Sequence, residues 1–425
     1  MAAEPQRAGS AGLSSQPAGQ QWDDIESRRG MGPAVPIAAY AFAVAMSGTT
    51  LPTPLYTLYQ AQYGFSSLIV TVIFAAYAVG VIATLFLCGQ LSDTIGRRPV
   101  LVAGLVLAAA SALCFLFEGG LPALFAGRVL SGLSAGLFTG SATVAIVELA
   151  PERLRGRATL VATVANMGGL GVGPLLAGLL SEYAPAPLGL VFVVNLALVA
   201  VAIVGILRIP ETVRVQHGAP MRPGRLRVPR SILPTFVPAA LAGFAGFAMF
   251  GLFTAVTPTY IDEVEGIGNR AVQGAVVFSV FMASTLGQLT MTKVGVRRAL
   301  PWGTVLLGVG MVLIFCSLLL PSLALLVLGG VISGSGQGLS FRAAVTAVGR
   351  RSPPDQRAEV TSALFVACYV GISIPVVGIG ALGVATGLRT AGLVFTVCVA
   401  LLAAATAAWL VRNPAGDEER RPPSD

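Results

Sequence analysis

Long runs of apolar residues separated by short polar turns dominate the chain. Twelve runs are long enough to cross the roughly 30 Å of a bilayer core as helices rising 1.5 Å per residue. The first six cover 34–55, 66–88, 99–117, 122–148, 157–181 and 187–208. The second six cover 234–257, 270–292, 299–319, 322–348, 358–382 and 388–411. None alternates with period two, so a membrane β-barrel is excluded. The pattern predicts an all-α polytopic membrane protein. Between the two sets lies the longest polar interruption, IPETVRVQHGAPMRPGRLRVPRSILP, basic and carrying several prolines. A linker over 209–233 therefore divides a bundle over 34–208 from a second over 234–411, with polar tails at 1–33 and 412–425.

The two halves repeat one another. GRVLSGLSAGL begins at Gly127, and GGVISGSGQGL begins at Gly329, 202 residues later. The turns that follow, APERLRGRAT and PPDQRAEVTS, correspond at nearly the same offset, and GQLSD at Gly89 has an eroded copy, GQLTM, at Gly287. Repeated halves are a signature of transporters whose substrate site lies at the interface of the repeats.

Composition supports the lipid reading. Of 425 residues, 55% are hydrophobic and 11% charged, with mean hydropathy +0.81. Soluble domains are about 25% charged. The net charge of +8 does not point to nucleic acid, because the arginines gather in alternate loops. Arg97 and Arg98, Arg153 to Arg157, the linker, Lys293 to Arg298, and Arg350 to Arg357 fall on one side. That side is expected to be cytoplasmic, with both termini there and the chain in the cell inner (plasma) membrane. The five cysteines lie in or beside apolar runs without CxxC spacing, and the single histidine, His217, lies in the linker. No metal, cofactor or nucleophile–base pair is expected, so an enzyme is disfavoured.

Several polar residues are candidates for function. GQLSDTIGRRP joins the second and third runs: Gly89 and Gly96 permit a tight turn, and Asp93, Arg97 and Arg98 could pair with neighbouring helix ends. Arg128 lies several residues inside the fourth run, where a charge costs at least about 2.5 kcal/mol unless it faces a wet cavity, a partner or the surface by snorkelling. Gly132 and Gly136 beside it, and Gly169, Gly173, Pro174 and Gly178 in the fifth run, allow close helix approach. Asn166, Asn195, Gln288 and Gln337 are intramembrane amides able to meet substrate or another helix, and Glu148 ends the fourth run. Tyr56 and Tyr59 are expected at the outer interface, and Arg342 is expected to snorkel. No Asp or Glu lies mid-span, so a neutral or anionic substrate fits better than a cation.

GQLSDTIGRRP, the fourth-helix arginine and NMGGLGVGPLLAG together resemble the signatures of major facilitator superfamily transporters. The resemblance implies twelve helices in two pseudo-symmetric six-helix bundles and alternating access to a central site. It implies a cytoplasmic gate at Asp93 and Arg97, and proton transfer linked to Arg128. The fifth-helix signature implies proton-coupled efflux of a drug or metabolite. A sugar or organic-acid symporter or facilitator is the alternative, and a non-transporting receptor is less favoured. Expected partners are a small-molecule substrate, protons and membrane lipids; a single chain holds both halves, so a monomer suffices.

Overall fold

The computed structural model describes residues 32–88, 91–117, 119–213 and 227–413. Its twelve spanning helices are α1 Ala34–Thr50, α2 Ser67–Cys88, α3 Arg97–Leu116, α4 Gly120–Glu148, α5 Arg155–Tyr183 and α6 Gly189–Arg208. They continue as α7 Leu233–Gly251, α8 Arg270–Val294, α9 Val296–Leu319, α10 Leu323–Arg351, α11 Arg357–Thr386 and α12 Leu388–Arg412. No strand occurs among the described residues. The helices form where continuous apolar sequence leaves the backbone no partner but itself. Polar caps mark some of the starts: Asn269 Oδ1 accepts from the Val272 amide at 3.0 Å, opening α8.

Two sequence expectations change in three dimensions. The prolines at 52 and 54 do break α1, but the chain then makes a 3₁₀ turn, Thr53–Leu55, and a short helix, Tyr56–Tyr63. In that helix Tyr56 and Tyr59 are buried in one cluster with Phe115 and Phe192 and do not anchor the lipid interface. In the second half, α7 does not stop near 257. It passes through a π-helical turn, Leu252–Val256, into a further helix, Thr257–Glu263. The wider turn accommodates Pro258, which has no N–H to donate. Thr257 Oγ1 donates to the Leu252 carbonyl at 3.2 Å within it.

Within each half, small residues bring helices together. Gly132 and Gly136 place α4 against Tyr77 and Thr84 of α2, and Gly169 and Gly173 place α5 against Ala43 and Ser47 of α1. The corresponding pairs in the second half are Gly287 of α8 against Ser335 of α10, and Gly371 of α11 against Phe244 of α7. Between the halves, α5 packs on α8 and α2 on α11. These contacts are closest toward the face opposite the arginine-rich loops: Gly178 meets Arg270 and Ala271, Gly274 meets Pro174, and Gly380 meets Leu68 and Thr71.

Candidate functional site

The halves enclose a cavity of about 90 Å³. Its walls come from α1, α2, α4 and α5 on one side and from α7, α8, α10 and α11 on the other. Aromatic rings dominate: Phe74, Phe247, Phe250, Phe281, Phe341 and Tyr369 all line it. Phe250 and Phe281 stack with centroids 4.5 Å apart. Below it, toward the arginine-rich face, lies a second cavity of about 430 Å³ between α2, α4 and α11. Thr139 and Phe365 line both, so they stand at the junction of the inner chamber and this vestibule.

Arg128 is the charged residue in the chamber wall among the described residues. It is 2% exposed and lies eight residues along α4, roughly 12 Å from that helix's start. It does not snorkel. One guanidinium nitrogen, Nη1, donates to the carbonyl of Thr49, and the group lies over the rings of Phe74 and Tyr77 at 5.2 and 4.9 Å. Such cation–π contacts are worth up to about 2 kcal/mol when desolvated. Arg128 Nε is buried without a hydrogen-bond acceptor.

The amides separate by position. Asn166 joins Arg128 in the chamber wall. Asn195 instead faces a small void inside the amino-terminal half, beside Gly48, Ser131 and Ser134. Gln337 accepts from Ser284 Oγ at 2.7 Å, and the backbone carbonyl of Gln288 accepts from Arg342 at 3.1 Å, so both serve the α8–α10 contact. The aromatic lining from α7, α8, α10 and α11 was not among the sequence candidates. Phenylalanine within an apolar run carries no signal of whether it faces lipid, core or cavity.

The hinge after α2 builds a separate network. Gly89 and the side chain of Asp93 lie outside the described residues. Leu91–Ile95 is a short helix, and Gly96 then takes φ 102° to start α3. Arg97 reaches across to Glu148 at the end of α4, with Nη2–Oε1 and Nε–Oε2 distances of 3.3 Å, and donates to Ser92 Oγ at 2.5 Å. Glu148 also accepts from Thr212 Oγ1 at 2.6 Å. Glu211, which sequence reasoning passed over, is the anchor of this corner. Its carboxylate accepts the backbone N–H of Arg97 and Arg98 at 2.9 and 3.0 Å, at the positive end of α3. Arg98 donates to the Leu207 carbonyl. An acid directly after the last apolar residues of a run, as in IPET, is the signal that could have found it.

At the opposite face the halves are tied by charge. Glu182 of α5 accepts from the Arg270 amide at 3.1 Å and pairs with Arg270 Nε at 3.1 Å, while Arg270 Nη2 donates to the Ser181 carbonyl at 2.8 Å. Asn269 Nδ2 donates to the Tyr183 hydroxyl at 3.2 Å.

Known proteins share this architecture. A bacterial homolog of the human lysosomal transporter Spinster, solved inward-facing and unoccupied, superposes with TM-score 0.69 at 14% identity over 93% of this chain and 99% of that one. A POT family transporter in complex with a thioalcohol-conjugated peptide superposes with TM-score 0.72 at 14% identity, over 89% and 96%. At this identity the likeness is one of fold. Among sequences, putative multidrug resistance protein MdtD of Salmonella typhi is 28% identical over 149 residues, 35% of this chain and 32% of that protein. The MdtD of Cronobacter sakazakii is 27% identical over 148 residues, 35% and 31%. The match thus spans about a third of the length of these relatives. Residues 38–292 and 282–425 match the family profile described as Major Facilitator Superfamily, and with twelve spans and two pseudo-symmetric halves around one chamber, the chain belongs to that superfamily of membrane transporters.

Proposed function

We propose that this transporter exports a small, largely apolar organic molecule from the cytoplasm. The observation that carries the reading is the aromatic chamber between the halves, with close helix contacts toward one face and, toward the other, a vestibule that shares Thr139 and Phe365 with it. The arginine-rich face is the cytoplasmic one by charge bias, so the vestibule admits substrate from inside. Opening the other way requires the α5–α8 and α2–α11 contacts to part, which is the rocking motion of repeated halves around a fixed site. The MdtD likeness and the small-residue α5 support export. Asp93, Arg97 and Glu148 serve as the cytoplasmic gate in this reading, with Glu211 holding the start of α3 in place.

The proton is the expected coupling ion. With no acid mid-span, it would be taken up near a face, at Glu148, Asp93 or Glu182. The test is flux of a broad compound panel from proteoliposomes under an imposed pH gradient. Export driven by inward proton flow speeds up when the compartment receiving substrate is made acidic, whereas symport slows. Asp93→Asn is expected to cut that flux at least tenfold while leaving binding in detergent intact. Unchanged flux would remove Asp93 from the gate.

A further inference from the structure

We infer that the substrate is an apolar organic monoanion with Arg128 as its counter-ion, and that the membrane potential contributes directly to driving its export. This rests on the export reading above and names its substrate class.

Arg128 brings a full positive charge into the chamber wall, and the structure supplies only partial compensation. The Thr49 carbonyl takes one N–H, and Phe74 and Tyr77 cushion the guanidinium. Nε is left without an acceptor, and no carboxylate pairs with the group among the described residues. The opposing wall answers with Phe247, Phe250, Phe281 and Phe341, which offer no charge. Asn166 adds an amide on the same side as Arg128. Threonine hydroxyls nearby spend their protons on their own helices, Thr49 on Met46 O and Thr254 on Phe250 O.

A buried cation with an open donor, facing aromatic rings, matches a carboxylate or sulfonate attached to an apolar body. Loading a monoanion makes the occluded chamber neutral, whereas a cation would double its charge in a low-dielectric space. Away from helix ends, the twelve spans carry Arg128 and Arg342 and no Asp or Glu. The arrangement therefore favours an anion and gives a proton no mid-span acid to occupy. Moving one negative charge out of a cell whose interior is negative is downhill by about 2.3 kcal/mol per 100 mV, a distribution ratio of about 50-fold.

The test uses two ions whose charge does not titrate. The purified protein is reconstituted into vesicles loaded with p-toluenesulfonate or benzyltrimethylammonium. Strong buffer holds the same pH on both sides, and the potential is set by a potassium gradient with valinomycin. Interior-negative potential should expel the sulfonate toward a 50-fold ratio at about 100 mV, and reversing the potential should reverse the ratio. Benzyltrimethylammonium should stay inside. Arg128→Gln should lose the sulfonate flux at least tenfold, with Arg128→Lys retaining part of it. The wild-type comparison decides the matter even if a variant fails to fold. Movement of the ammonium ion with retention of the sulfonate overturns the inference, as does sulfonate flux that follows a pH gradient and ignores potential. If only neutral or cationic members of a wider panel cross, export stands and the anion assignment falls. If nothing crosses, the export reading falls first.

Discussion

Replacing Gly178 by alanine should drive the protein toward the state open on the face opposite the arginine-rich loops. A Cβ at this position would lie 3.1 Å from the Arg270 carbonyl carbon and 3.2 Å from the Ala271 Cα, and closer still to the Arg270 carbonyl oxygen. These are backbone atoms of α8, so no side chain can swing aside, and the helices must separate. Overpacking of this kind costs about 1–3 kcal/mol. The obstructing atoms all belong to the other half, so the cost falls on the closed arrangement alone. The equilibrium should therefore shift by a factor of about 5 to 150 toward opening. Spin labels at Ser66→Cys and Thr386→Cys, both exposed on that face, would report the change as a longer distance in pulsed dipolar measurements. The background would lack the five native cysteines. Gly168→Ala is the control on the same helix, since its nearest foreign atom, the Met282 methyl, is 3.9 Å away. A Gly178→Ala protein that is monodisperse and shows the wild-type distance distribution would refute the reasoning.

Two further outcomes follow from charge. Glu182→Gln removes one member of a partly buried ion pair and weakens a hydrogen bond to the Arg270 amide; about 1–2 kcal/mol lost should raise the open population about 5- to 30-fold, read with the same labels. Glu211→Gln leaves the start of α3 without its anion, and thermal or detergent denaturation should show about 1–2 kcal/mol less stability in the amino-terminal half; an unchanged profile would mean the Arg97 and Arg98 amides find other acceptors.

The twelve helices were legible because lipid permits few alternatives to long apolar helices, and most ends fall within three residues of the sequence reading. The exceptions have local causes. The seventh run reads only to 257, yet a π turn carries the helix past Pro258 to Glu263. Tyr56 and Tyr59 read as interfacial, yet both are buried in a cluster with Phe115 and Phe192. The candidate site was most legible where a charge entered an apolar run. Arg128 stood out for that reason, and Glu148 for closing one. Asn195, Gln288 and Gln337 carry the same chemistry as Asn166 but lie at other angles around their helices. In a soluble protein a polar face would reveal those angles; here lipid and core are equally apolar, so the rotation of each helix is set by packing that the sequence does not display.

The π turn of α7 has a consequence for how the chain could change. One surplus residue in Leu252–Val256 advances everything beyond it by about 100° around the helix axis relative to a regular continuation. Deleting a single position there would remove the surplus residue and swing Pro258 and Tyr260 to a new azimuth, leaving Phe247 and Phe250 where they are. The outer tip of this helix is thus indexed independently of the part that walls the chamber, like a dial set one notch over.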